Sequence, residues 1–70
     1  MNNLNYLREA EIYLLSHRKT KVTSATFGDA TGLRGEVGVR GSFRTAARIL
    51  GAAELGKLPG YGRCIVFELS

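Results

Sequence analysis

The sequence predicts an α+β fold, a small single domain of three helices closed by a C-terminal β-hairpin. Three observations carry that expectation. Apolar residues recur at helical spacing near the N-terminus, and again in an alanine- and arginine-rich segment from about Ser42. The chain then ends in a Pro-Gly turn followed by β-favouring residues that alternate in polarity. With 70 residues and one cysteine, Cys64, the chain has no intrachain disulfide and no cysteine set for zinc. Its core must come from helix and sheet packing, near the lower size at which that suffices.

The first helix is "LNYLREAEIYLLSH". Leu4, Leu7, Ala10 and Leu14 share one face, with Tyr6, Tyr13 and His17 alongside. Asn2 or Asn3 suits its N-cap, and Arg18 and Lys19 suit the negative end of its dipole. Ile12 and Leu15 lie off that face, which leaves room for cover on a second side. Tyr6 and Tyr13 read as packing or dimer-surface residues.

"KVTSATFGDATGL" supports two readings. Val22, Thr23, Thr26 and Phe27 favour a strand. Alternatively, Thr23 or Ser24 caps a short helix that ends at Gly32. In "GLRGEVGVRG" glycine recurs every third residue, at Gly32, Gly35, Gly38 and Gly41, so residues 34 to 41 are expected to be a loop. Ser42 then reads as the N-cap of a helix. Phe43, Ala46 or Ala47, Leu50 and Ala53 lie on one side of it, and Arg44 and Arg48 on another. Gly51 would sit inside that helix at a cost of roughly 1 kcal/mol, and Gly56 would stop it. "KLPGYGR" is a turn. "CIVFEL" is a strand with Ile65 and Phe67 on one face and Cys64, Val66 and Glu68 on the other, with a short partner strand around residues 55 to 58.

Charge narrows the function. The formal net charge is +4. Between residues 18 and 48, Arg18, Lys19, Lys21, Arg34, Arg40, Arg44 and Arg48 face only Asp29 and Glu36. Such a basic band suits a nucleic acid or another anionic surface, although a solvated face has the same composition. No apolar run approaches the roughly 20 residues of a membrane span, and the N-terminus does not read as a secretory leader, so a cytoplasmic protein is expected. A phosphate-binding P-loop needs a Gly-Lys-Ser/Thr end, but no lysine lies between Gly32 and Ser42. The dinucleotide fingerprint is missing too. The Gly-x-x-Gly spacing beside Arg40 is shared with loops that clamp single-stranded nucleic acid, but those need a three-stranded sheet around them. His17 lacks an acid–nucleophile set, and the carboxylates form no acid–base pair. No enzyme activity, cofactor or metal is expected.

The order of helix, short helix, turn, longer helix and hairpin resembles the winged helix-turn-helix superfamily. "VTSATFGDATGL" is similar to its second helix, "RTAARILGAAELGKL" to its recognition helix, "PGYGR" to its wing tip and "CIVFEL" to its last wing strand. The turn from Arg34 to Gly41 is longer than the few residues usual there. The resemblance implies a binder of double-stranded DNA whose helix from about Ser42 enters the major groove. On this reading Arg40, Ser42, Arg44, Thr45 and Arg48 face the groove, while Lys57, Tyr61 and Arg63 flank the wing tip. Lys19, Lys21 and Thr23 would hold the backbone from the other side. A compact transcriptional regulator of phage or plasmid type is expected, acting as a homodimer or cooperative array. The alternative is a protein-binding module that docks on a host protein through the Gly32–Gly41 loop, Ile12 and Leu15. RNA or ribosome association fits the same charge.

Overall fold

The computed structural model describes residues 3–70, with side chains from residue 5 onwards. Of the expected caps, Asn2 lies outside what is described, as do the side chains of Asn3 and Leu4. The element order is α1 (Asn3–Ser16), β1 (Lys21–Val22), α2 (Ser24–Thr31), α3 (Val39–Ile49), β2 (Ala53–Gly56) and β3 (Val66–Glu68). The strands form one antiparallel sheet in the order β1-β3-β2. The α+β class with three helices therefore stands, and the expected hairpin gains β1 as a third strand.

The first helix forms where its apolar spacing places it, and α3 is its main packing partner. Tyr6, Ala10, Tyr13 and Leu14 bury one face, whereas Ile12 and Leu15 stay exposed, so no second side is covered within the described chain. His17 Nδ1 lies 2.8 Å from the Tyr13 carbonyl oxygen and its ring stacks on Tyr13. Both tyrosines serve packing. The chain end is fastened to the turn after α1: the Lys19 amide donates to the Leu69 carbonyl at 2.6 Å, and Arg18 donates twice to the Ser70 carbonyl.

In the ambiguous segment both readings are realised in part. Lys21 and Val22 pair with Glu68 and Phe67 as a short strand, and the helix begins directly after Thr23. Thr23 is the N-cap. Its hydroxyl oxygen accepts from the Thr26 amide at 3.2 Å, and the Thr23 amide donates to Thr26 Oγ1 at 2.9 Å. This reciprocal pair is a capping box with threonine in the usual Glu/Gln place. Gly32, at φ 74°, ends the helix in the left-handed conformation.

Two boundaries of α3 differ from the sequence reading. Ser42 is not the N-cap: it lies in the first half of the helix and is buried, and Gly38 occupies the cap at φ 91°. A glycine there lets the chain turn sharply and resume the helix at Val39, so only residues 32 to 38 connect α2 to α3. At the other end Gly51 is a terminator and not an interior residue. The Ala52 amide donates to the Ala47 carbonyl and the Gly51 amide to the Arg48 carbonyl, the two bonds of a Schellman closure. Ala53 to Leu55, read as the end of the helix, and Gly56, read as its stop, are instead strand β2. The partner strand lies there and not at 55 to 58.

The core gathers at the contact of α1, α2, α3 and β3. Phe27, Phe43 and Phe67 are almost completely excluded from solvent. Phe43 stacks on Phe27 at 5.4 Å between ring centroids and meets Phe67 edge-on at 5.8 Å. Ala46 and Ala47, both 0% exposed, let α1 approach the α3 backbone closely. Phe67 of β3 joins this core and Ile65, just before the strand, packs against it, as the alternation predicts; Leu69, just beyond the strand, joins it too. Val66 is buried outside that cluster.

Gly28 sets the path of the connection. A Cβ placed on it would stand 2.9 Å from the Arg34 Cα, which is backbone and cannot swing away. Gly28→Ala is expected to force α2 and the connection apart and to cost about 1–3 kcal/mol. A thermal melt followed by circular dichroism would show it as a drop of about 4–8 °C per kcal/mol. An unchanged melting temperature would mean that this contact does not constrain the fold.

Candidate nucleic-acid interface

One face of α3 is spent on the core through Val39, Ser42, Phe43, Ala46 and Ala47. With about 100° between successive residues, positions four apart stand on adjoining turns. Arg40, Arg44 and Arg48 therefore form a ridge along one flank of the helix. Arg40 and Arg48 are exposed and Arg44 is half-buried. Thr45 is exposed on the neighbouring flank. The earlier start of the helix matters here, because it moves Arg40 from the loop into the first helical turn.

The segment joining β2 to β3 runs beside this ridge. Between them is a cleft of about 430 Å³, into whose lining Arg40, Arg44, Lys57 and Arg63 all enter. No carboxylate lines it. Ser24, at the start of α2, and Cys64 complete its polar wall, their Oγ and Sγ atoms 4.0 Å apart. A second recess of about 450 Å³ shares Ser24, Arg40 and Cys64 and continues past Arg34 to the α2–α3 connection. Glu36 also lines this second recess, so the carboxylate-free lining ends at Arg40.

Electrostatic partners separate the cations into two groups. The ion pairs among the described residues are Arg34–Asp29 at 3.0 Å and Lys21–Glu68 at 3.6 Å, both at the surface. Such pairs contribute about 0–1 kcal/mol each. Neither Arg44 nor Arg48 is paired with Glu36 or Glu54. Arg44 stands out further: its Nε is shielded from solvent and has no hydrogen-bond partner, alone among buried side-chain polar atoms of the described residues. Leaving a buried donor unmade costs about 1–3 kcal/mol, so a partner for that N–H is strongly favoured.

Of the residues singled out from sequence, Arg40, Arg44, Lys57 and Arg63 come together in the cleft. Thr45 and Arg48 extend the surface along α3, and Tyr61 is half-buried in the turn, its amide donating to the Leu58 carbonyl at 3.3 Å. The others are elsewhere. Ser42 and Thr23 are 8% and 2% exposed, so neither presents its hydroxyl at the surface. Lys21 is engaged with Glu68, and Lys19 occupies a left-handed turn at φ 64°. Ser24, Cys64 and Arg34 were not among the residues assigned to the interface. The Thr23 cap is the signal that could have found Ser24, since it fixes that residue in the first turn of α2.

Thr23→Ala removes the capping box and is expected to cost about 0.5–2 kcal/mol of stability. Urea denaturation would measure it. The same variant should bind any nucleic acid as the parent does while folded, and a direct loss of affinity would return Thr23 to the interface.

Comparison with known proteins returns no matching family model, no matching curated protein and no matching solved structure. No described helix is long and apolar enough to cross a membrane. Among the described residues no group of three or more His, Cys, Asp or Glu side chains gathers to hold a metal ion.

Proposed function

We propose that this chain is a winged helix-turn-helix domain that binds double-stranded DNA, with α3 as the groove-entering helix and the 57–65 segment as its wing. One observation carries the reading: the Arg40–Arg44–Arg48 ridge, continued across a carboxylate-free cleft by Lys57 and Arg63. The order of elements and the β1-β3-β2 sheet support it, while the α2–α3 connection, residues 32 to 38, stays longer than the few residues usual in that superfamily. Phosphate contacts hold a protein in register on a duplex, and side chains on the exposed helix face then meet base edges. Thr45 and Arg48 have that exposure. A small regulator that works by occupying a site is the biological role this fits, and pairing of copies would supply the contacts that one small domain lacks.

Fluorescence anisotropy with a labelled mixed-sequence duplex tests this. Neutralisation of four phosphates by Arg40, Arg44, Lys57 and Arg63 would give a log–log salt slope of roughly −3 to −4. No binding at low salt would sink the proposal. Protein docking is the second reading, favoured by the exposure of Val37 (93%) within the α2–α3 connection and by that of Ile12 and Leu15 on α1.

A further inference from the structure

We propose that the cleft between α3 and the 57–65 segment is a seat for a phosphate group, and that Arg44 is one of its ligands and not a reader of bases. The seat deepens the DNA reading, on which the assignment of its phosphate to a duplex backbone rests.

Four observations converge. The cleft collects Arg40, Arg44, Lys57 and Arg63 from two separate parts of the chain, without a carboxylate to neutralise them. The Ser24 hydroxyl, which donates to Cys64 Sγ at 4.0 Å, adds a neutral polar group to the same wall. Its volume of about 430 Å³ leaves room for a phosphate and the sugars on either side of it. Finally, Arg44 Nε is already stripped of solvent and lacks any partner. A guanidinium edge offers Nε–H and Nη–H as a fork that matches two phosphate oxygens, and such charge-assisted bonds are the strong ones. Because that N–H is closed to water, an oxyanion in the cleft meets the outer edge of the guanidinium first, and Nε pairs with it once the side chain turns outward, restoring a missing bond.

Half-burial distinguishes Arg44 from its neighbours on the helix. Thr45 and Arg48 are exposed, and base discrimination falls to them. Phosphate contact is blind to sequence, so the two roles separate in measurement.

The test uses the full chain in two arms. In the first, inorganic pyrophosphate is titrated into ¹⁵N-labelled protein while the arginine Nε–Hε signals are followed. A saturable shift of the Arg44 signal, with the Ser24 and Cys64 amides, is expected. In the second, Arg44→Gln and Arg48→Ala are compared on duplexes that differ by single base pairs, over a range of salt. Arg44→Gln should weaken every duplex by the same factor, about tenfold or more, and flatten the salt slope by about one. Arg48→Ala should change the ratios between duplexes. Arg44→Lys, which keeps the charge but loses the fork, should fall between Arg44→Gln and the parent.

Duplex binding with no pyrophosphate response at Arg44 would overturn the seat and leave the DNA reading intact. A change in duplex ratios on Arg44→Gln would overturn it too, by making Arg44 a base reader. A pyrophosphate response without duplex binding would support the seat as a site for a free phosphate compound and would sink the DNA reading.

Discussion

Phe43→Ala is expected to destabilise the domain by about 3–5 kcal/mol, the range for deleting a buried aromatic ring. Phe43 is 0% exposed and sits where every part of the core meets. Its ring lies within 5.4 Å of Phe27, 5.8 Å of Phe67 and 6.4 Å of Tyr13, centroid to centroid, so one side chain joins α1, α2, α3 and β3. At about 0.05–0.15 kcal/mol per residue, a domain of 70 residues has roughly 4–10 kcal/mol in total. The substitution therefore removes a large share of the stability and can leave much of the population unfolded. Urea denaturation followed by circular dichroism measures it. Phe43→Leu keeps most of the volume and should cost clearly less. A loss below about 1 kcal/mol for alanine would mean that the helices hold together without this cluster.

Reversing two charges on α3 is expected to remove binding without harming the fold. In Arg40→Glu/Arg48→Glu the formal net charge falls from +4 to zero, since each reversal subtracts two. Hydrogen bonds to charged groups are worth about 1.5–3 kcal/mol each, so the pair should weaken duplex binding by roughly 10²–10⁴-fold. Both side chains are exposed and neither is paired, which keeps the change in stability within about 0.5 kcal/mol. The helix dipole favours the first reversal and opposes the second, and the two effects offset. Arg8→Glu, on the exposed side of α1, is the control and should change affinity only a few-fold through long-range charge. Arg8→Glu subtracts two charges and the α3 variant four, so a control loss about half that of the α3 variant on a logarithmic scale would show that net charge alone drives binding.

Much of the architecture was legible because local chemistry and tertiary packing agree. The apolar spacing from Leu7 to Leu14 marks α1, and the alternation through Ile65, Phe67 and Leu69 marks β3 and its core face. The Thr23 cap and Gly32 stop bound α2. The ends of α3 were misread because glycine is ambiguous in sequence. Gly38 and Gly51 could each lie in a loop or a helix, and only the left-handed backbone at both shows that they are the boundaries. Ser42 has the chemistry of an N-cap, yet burial of its helix face assigns it to the interior.

The site was legible as a list of cations but not as a cleft. Arg40 and Arg44 stand on α3, whereas Lys57 and Arg63 come from beyond β2, and no periodicity connects them. Nor could spacing tell which arginines are engaged. Arg34 is held by Asp29, while Arg44 has a buried, unpartnered N–H. Lys21 and Thr23 carry suitable chemistry for a backbone clamp, but one is paired across the sheet and the other caps α2.

The measurement to make is an NMR titration of ¹⁵N-labelled protein with a mixed-sequence DNA duplex at two salt concentrations. DNA binding through α3 and its wing predicts shifts at Arg40, Arg44, Thr45 and Arg48 and at residues 61 to 63, all weakened by added salt. Silence at low salt, or shifts confined to Val37, Ile12 and Leu15, would contradict it.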